Sequence, residues 1–375
     1  MQTEGQATFA IGNSFYNPQS QVIRDLGVLA ATVYQQTTGH LRVLDAMAGS
    51  GVRSLRYCLE SQADRLWIND SNPEIGPILR QNLKALPADR YHLTHWDANR
   101  VFFDCYNRQD FYDLVDVDCF GSAAPYLSTS LWAVAIGGVL YITSTNGRVL
   151  TGHAPVSSLR AYGAYARSHP AANEQALRLL LGSLQQLAAA KGLGIEPVFS
   201  LFAGQTYRVM VRLVGKPILT PENYGFLGYC HTCGQYQTVS WDRLGKSGCP
   251  PHGRDANACV SKGDHAMVFT GPLWLGPLHD RPFLHQMMSL AHQRHWSQRV
   301  KLLSILELEA DLPPYFYTLR ELGKRGQCDI PPRSHLIQTL QSWGYRATPT
   351  HIHPQAIKTD ADLATCICAA TGRNP

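Results

Sequence analysis

Short stretches of this chain carry residue types that do chemistry together. The first is Asp45-Ala-Met-Ala-Gly49-Ser-Gly51, an acid followed by a Gly-containing turn. Glycines let a backbone approach a ligand without a Cβ clash. The spacing departs from the G-x-G-x-x-G dinucleotide fingerprint, because Ser54 stands where the third glycine belongs. An acid just ahead of the turn would repel a pyrophosphate. It suits a cationic ligand instead, such as the ammonium and sulfonium of S-adenosylmethionine. Asp70 then sits about 20 residues on, where a carboxylate accepts ribose hydroxyls. Asp97 is placed to lie beside the adenine amine.

The second stretch is Asp116-Val-Asp118-Cys119-Phe120-Gly121-Ser122. It resembles the D/N-P-P-Y/F segment of amino-methyltransferases. An exocyclic amine is a weak nucleophile because its lone pair is delocalised into the ring. A carboxylate accepting its N–H favours the attacking geometry and takes a proton as charge develops. A neighbouring aromatic ring stacks on an extruded base. Asp118 is thus the candidate catalytic carboxylate and Phe120 the candidate stacking ring. Methyl transfer is then mostly alignment of nucleophile, methyl and sulfur. The competing reading is a strand-end turn, with Asp118 as a cap and Phe120 in the core.

The third is Cys230-His-Thr-Cys233 followed, after 15 residues, by Cys249-Pro-Pro-His252. Three thiolates and an imidazole at this spacing suit a tetrahedral structural zinc. His231, Cys259 and His265 compete for the fourth position.

The elements that must position these residues alternate. Leu41–Asp45, Leu66–Asp70, Tyr91–Asp97 and Phe111–Asp118 read as strands ending in acids, and Gly138–Asn146 as a further strand. Helix-compatible stretches such as Ser71–Ala85 and Glu174–Lys191 lie between them. Glu196–Phe202 and Thr206–Val214 read as a closing hairpin. The expected fold is α/β, a mostly parallel doubly wound sheet with an antiparallel hairpin, and such sheets bind ligands at the carboxyl ends of their strands. A composition change near Gly215–Pro221 divides residues 1–215 from a C-terminal domain, 216–375. There, helix signals at His285–Leu306 and Arg333–Gly344 and the β-like Arg346–Ile352 suggest a small α+β, winged-helix-like module with scattered arginines and lysines that could track phosphates.

Composition is consistent with this. A length of 375 residues and 45% hydrophobic content provide for two domains. A formal charge of +5 permits an anionic partner without demanding one. The polar start lacks a secretory pattern, and no run reaches membrane-span length. A soluble, cytoplasmic protein is expected, with the 10 cysteines as free thiols or metal ligands.

Ordered segments resemble the tRNA guanine-26 N2-dimethyltransferase family. They are Phe15-Tyr-Asn-Pro18 with Arg24-Asp25-Leu26, Leu44 to Tyr57, Asp97-Ala98-Asn99, Asp118 to Pro125, Gly271 to Leu278, and Ile357-Lys-Thr-Asp360. The resemblance covers most of the chain. It implies a class I (Rossmann-like, seven-stranded) methyltransferase domain followed by a family-specific C-terminal domain, which the readings above make α+β, zinc-containing and tRNA-binding. It also implies S-adenosylmethionine held by Arg24, Arg53, Asp70, Asp97 and Ala98, beside the Asp45 already read from its turn, with Asp118 and Phe120 acting on the base. One departure stands out: Cys119 replaces the family's proline, which would have fixed φ.

The leading expectation is therefore an enzyme that methylates guanine N2 in tRNA once or twice, with no DNA or membrane partner. An amino-methyltransferase for another nucleobase and an inert tRNA-binding homologue are the alternatives. Ser54 and Asp45 disfavour a nicotinamide-linked oxidoreductase.

Overall fold

The computed structural model describes residues 1–245, 247–249 and 267–373. The chain forms two compact units, and neither is one continuous segment. The first comprises Met1–Thr145, Gln186–Ile218 and Asp280–Leu303. The second comprises Asn146–Gln185, Leu219–His279 and Ser304–Pro375.

The first unit is built on seven strands. These are β1 (Arg42–Asp45), β2 (Arg65–Asn69), β3 (Tyr91–Thr94), β4 (Tyr112–Val117), β5 (Val134–Ser144), β6 (Gly194–Ala203) and β7 (Thr206–Val214). Their order across the sheet is β3-β2-β1-β4-β5-β7-β6. The first five are parallel, and β7 runs antiparallel to both β5 and β6. This is the class I methyltransferase-like α/β arrangement expected above. Every residue of β4 is buried, as in a parallel sheet covered on both faces. Its acids are partnered: Asp113 accepts hydrogen bonds from the Tyr34 hydroxyl at 3.1 Å and the Arg42 amide at 2.7 Å.

Four helices frame the strand ends: α1 (Gln21–Thr38), α2 (Val52–Ser61), α3 (Gly76–Leu83) and α4 (Ala98–Arg108). Helix α1 is buried continuously from Ile23 to Tyr34. It approaches so closely at Gly27 that a Cβ there would lie 2.8 Å from the Tyr57 hydroxyl. A short hairpin, Gln2–Glu4 with Ala7–Phe9, precedes it. Glu4 anchors that hairpin through Arg24 and Arg56. Arg56 is fully buried and also bonds Asp25 and Glu60, each at 2.7 Å. Arg299 completes Asp25 at 2.7 Å, and Arg294 donates to the Glu60 carbonyl at 2.8 Å.

The second unit holds two three-stranded sheets. Tyr236–Val239, Tyr224–Cys230 and Met267–Trp274 form one, all antiparallel. Tyr317–Thr318, Ala356–Thr359 and Ala347–Pro349 form the other. Helices Leu319–Gly326, Arg333–Ser342 and Leu363–Thr371 accompany the second sheet. Glu174 is buried between Arg178 at 2.8 Å and Lys358 at 2.6 Å.

Some elements differ from the sequence-based expectation. His285–Leu306 is not one helix. It is Arg281–Gln293 and Ser297–Glu309, broken where His295 adopts φ 57°. The stretch Arg346–Ile352 contributes only Ala347–Pro349 to a strand. Strand β5 begins four residues earlier than expected, at Val134, with Gly137 at φ 86°. No helix among the described residues is long and apolar enough to cross a membrane.

Candidate active site and candidate metal centre

The turns after β1, β2, β3 and β4 open at one end of the sheet and line a single cavity of about 280 Å³. That is near the lower end of the roughly 300–1,000 Å³ typical of ligand sites. The turn from Ala46 to Ser50, then Asp70, Asp97, Ala98, Asp118 and Phe120 all face it. Acids that the sequence separates by tens of residues thus converge at neighbouring strand ends, as an open α/β sheet requires.

Each side chain is held by its local structure. Asp70 accepts the Gly49 amide on Oδ2 at 2.9 Å and the Asn72 amide on Oδ1 at 3.0 Å. Each oxygen keeps lone-pair capacity for a hydroxyl donor. Asp97 caps α4 by accepting the Asn99 amide at 2.9 Å and still lines the cavity. Arg24 also lines it, while its guanidinium is committed to Glu4 and lies over the Tyr16 ring.

Asp45 is placed differently from the expectation. It is completely buried, accepts the Ser54 hydroxyl at 2.7 Å, and is not among the cavity's lining residues. Burial and the neighbouring Asp116 push its carboxyl up to about 7. Through Ser54 it braces the first turn of α2. An acid-then-glycine pattern therefore does not by itself bring the acid to the cavity wall.

Asp118 leaves β4 into a dense set of charges. Its Oδ2 accepts Arg53 Nε at 3.0 Å and Nη2 at 2.5 Å. Its Oδ1 accepts the Thr143 hydroxyl at 2.9 Å and Arg208 Nη1 at 2.7 Å. Against burial, which raises it, the Arg53 and Arg208 guanidiniums hold the Asp118 carboxyl well below the usual carboxylate range. The side chain nevertheless stays 32% exposed on the cavity side.

The Cys119 substitution does not leave the bend loose. The Cys119 thiol is buried and donates to the Thr143 carbonyl at 2.9 Å. Burial pushes it up to about 12, so it remains a neutral thiol. Gly121 follows at φ 81°, a left-handed conformation that glycine tolerates. Its amide donates to the Thr145 hydroxyl at 2.8 Å, and its carbonyl accepts the Thr145 amide at 2.8 Å. The bend is tied to the end of β5 by these bonds instead of by a proline ring.

Phe120 is not core. It is 91% exposed and stands at the cavity. A second ring there was not assigned from sequence: Phe15, 75% exposed, also lines the cavity. Its only trace in the sequence was its place in the Phe15-Tyr-Asn-Pro18 segment. Large apolar rings left this exposed beside a polar pocket mark a binding surface.

Cys230, Cys233 and Cys249 converge, with their sulfurs within 4.8 Å of one another. Tetrahedral Zn–S bonds of about 2.3 Å place sulfurs roughly 3.8 Å apart. The first pair forms a knuckle: the Cys233 amide lies 3.4 Å from Cys230 Sγ, and the Gly234 amide donates to the Cys230 carbonyl at 2.7 Å. Burial opposes it, but the Cys233 N–H lowers the Cys230 thiol from its ordinary value, in the direction a metal thiolate needs. The donor set fits zinc. The fourth ligand expected, His252, lies outside the described residues, as do Cys259 and His265. His231 packs its ring on Tyr229.

A second group, His279, Glu309 and His351, is close enough to suggest a metal site. Glu309 is bonded by His351, and the nearby pairs of Glu174 with Arg178 and Lys358 supply the compensating positive charge. The charges balance without an ion, so a structural network accounts for it.

Comparison with known proteins decides the family. The model of the N2,N2-dimethylguanosine tRNA methyltransferases matches residues 2–369. The chain belongs to that family. A tRNA (guanine(26)-N(2))-dimethyltransferase of Aeropyrum pernix is 31% identical over 364 residues, covering 92% of this chain and 86% of the relative. One from Pyrococcus abyssi is 29% identical over 368 residues, covering 92% and 90%. The solved structure of Trm1 from Pyrococcus horikoshii with S-adenosyl-L-methionine superposes with a TM-score of 0.83 at 26% identity, covering 98% of each chain. The likeness extends through both units.

Proposed function

We propose that this cavity transfers methyl groups from S-adenosylmethionine to the exocyclic N2 of guanine 26 in tRNA. One observation carries the reading: a fixed carboxylate, Asp118, and two exposed rings, Phe15 and Phe120, meet at the cavity that Asp70 and Asp97 line. S-adenosylmethionine supplies an electrophilic methyl on a sulfonium. Asp70 accepts the ribose hydroxyls, Asp97 and Ala98 flank the adenine, and the Ala46–Ser50 turn lies along the amino-acid end. Arg24 and Arg53 line the cavity and shape it through their acid partners. Phe15 and Phe120 sandwich the extruded guanine. Asp118 accepts an N2–H, which turns the nitrogen lone pair toward the methyl carbon. A carboxyl held this low does not store the proton that the nitrogen loses, so that proton passes on to water.

The zinc-carrying unit, which includes most of residues 216–375, is assigned to tRNA binding, and its Cys230, Cys233, Cys249 and His252 to structural zinc. The cytoplasm is the compartment where such a substrate is met. Residues 1–215 carry every group assigned to catalysis and cofactor binding.

The reading is tested with labelled S-adenosylmethionine and unmodified tRNA. Label is expected on a guanine at position 26, seen by nucleoside mass spectrometry. Label on DNA or another base, with none on that guanine, would sink it. Phe15→Ala and Phe120→Ala are each expected to lower kcat/KM for tRNA by about 5- to 150-fold, the worth of one stacked base. S-adenosylmethionine affinity should stay unchanged. Loss of cofactor binding in both variants would assign the rings to the cofactor instead.

Purified protein is expected to carry one zinc per chain by elemental analysis. Cys230→Ser should release it and lower the Tm. Metal-free protein with an unchanged Tm would remove the structural role.

A further inference from the structure

Asp118 is gripped from behind by an arginine that no substrate reaches. Arg208 is the third residue of β7, paired with Thr143 of β5, and is completely buried. One guanidinium nitrogen donates to both Asp118 and Thr143, and another donates to Asp116. The guanidinium carbon sits 3.7 Å from the centroid of the Tyr141 ring. Asp116 is further fixed by the Tyr57 hydroxyl at 2.6 Å and lies 3.6 Å from Arg53.

We propose that Arg208 is a positioning residue for the methyl transfer: it fixes the orientation of Asp118 and keeps it a permanent hydrogen-bond acceptor. The inference rests on the role given to Asp118 above. An arginine fork bridging two carboxylates and braced on a ring has one allowed geometry, so the Asp118 oxygens have one too. Charge agrees with this. Arg53 from α2 and Arg208 from β7 balance Asp116 and Asp118. The other titratable groups around the pair are Asp45 at the end of β1, Tyr57 from α2, Tyr141 from β5 and Cys119 of the bend itself. Without Arg208, Arg53 alone balances both Asp116 and the neighbouring Asp118. The Asp118 carboxyl then rises, and the acceptor is lost as pH falls through the raised value.

Single-turnover rates from pH 4 to 9 test this on full-length protein with saturating S-adenosylmethionine and tRNA. The wild type should keep its rate on the acid side. Arg208→Met should lose about 10- to 100-fold at pH 7 with cofactor affinity retained. Its acid limb should move up by about 1–3 pH units. Arg208→Lys keeps the charge and should restore the acid-side profile while recovering only part of the rate. Thr143→Val, nearly isosteric, should shift the limb the same way by less, and it carries the test if Arg208→Met does not fold. Profiles of Arg208→Lys and Thr143→Val that match the wild type in rate and shape would overturn the inference. Asp118→Asn separates the two levels. An active Asp118→Asn removes the underlying role, whereas an inactive one beside unshifted Arg208 and Thr143 profiles removes only Arg208.

Discussion

Asp118→Asn is expected to lower the rate of methyl transfer to tRNA by about 10²- to 10⁴-fold, with S-adenosylmethionine binding intact. The substitution conserves volume, so the bend and the Cys119–Thr143 bond remain. What changes is electrostatic. A carboxylate that accepts from Arg53, Arg208 and Thr143 becomes an amide with one acceptor oxygen and a donor NH₂. The amide must turn its oxygen toward one guanidinium and leaves the other short of a partner. An N2–H reaching the site then meets a group oriented for the protein, and the nitrogen loses its alignment. Asp70 and Asp97 stand apart from this network, so the cofactor affinity measured by equilibrium dialysis should be that of the wild type. Full activity in Asp118→Asn would exclude the carboxylate from the chemistry.

Arg56→Met is expected to destabilise the first unit by about 3–5 kcal/mol, the usual result of breaking a buried ion pair by removing one partner. Arg56 is completely enclosed and bonds Glu4, Asp25 and Glu60 together. Without it three buried carboxylates share Arg24, Arg294 and Arg299. The damage should reach the cavity, because Glu4 is also the anchor for Arg24 and for the hairpin ahead of Phe15 and Tyr16. Chemical denaturation should show a lower midpoint. Limited proteolysis should cut first before residue 21. A midpoint unchanged from the wild type would mean that Arg24 alone holds the hairpin.

The sequence made the sheet legible because four of the five parallel strands are short apolar runs closed by an acid, and the sheet's topology then aligns those acids. Asp70, Asp97 and Asp118 follow that rule. Asp45 breaks it: it is buried beside Asp116 and Arg53, a polar interior that no periodicity announces. Helix α1 was not read from pattern, because burial on all sides from Ile23 to Tyr34 erases the polar face that marks an amphipathic helix. Arg208 was also missed. A single arginine inside Tyr207-Arg-Val-Met-Val211 is the one mark it leaves, and a charge in a buried strand is reason to look for its acid. Phe15 escaped because nothing local to it shows that the chain returns it to the strand ends. The pairing of Cys230 with Cys233 was legible by spacing alone, since a knuckle is a local structure.

The interleaving of the two units bears on biosynthesis. Asp25 and Glu60 receive Arg299 and Arg294 from a segment that leaves the ribosome 274 and 234 residues later, respectively. A nascent chain that has finished β7 already owns its complete sheet, yet holds those acids without their late partners. A gene cut after residue 215 would freeze that intermediate, and its product should aggregate or recruit chaperones. Supplying the remaining residues as a separate polypeptide should rescue it only if both pieces fold together.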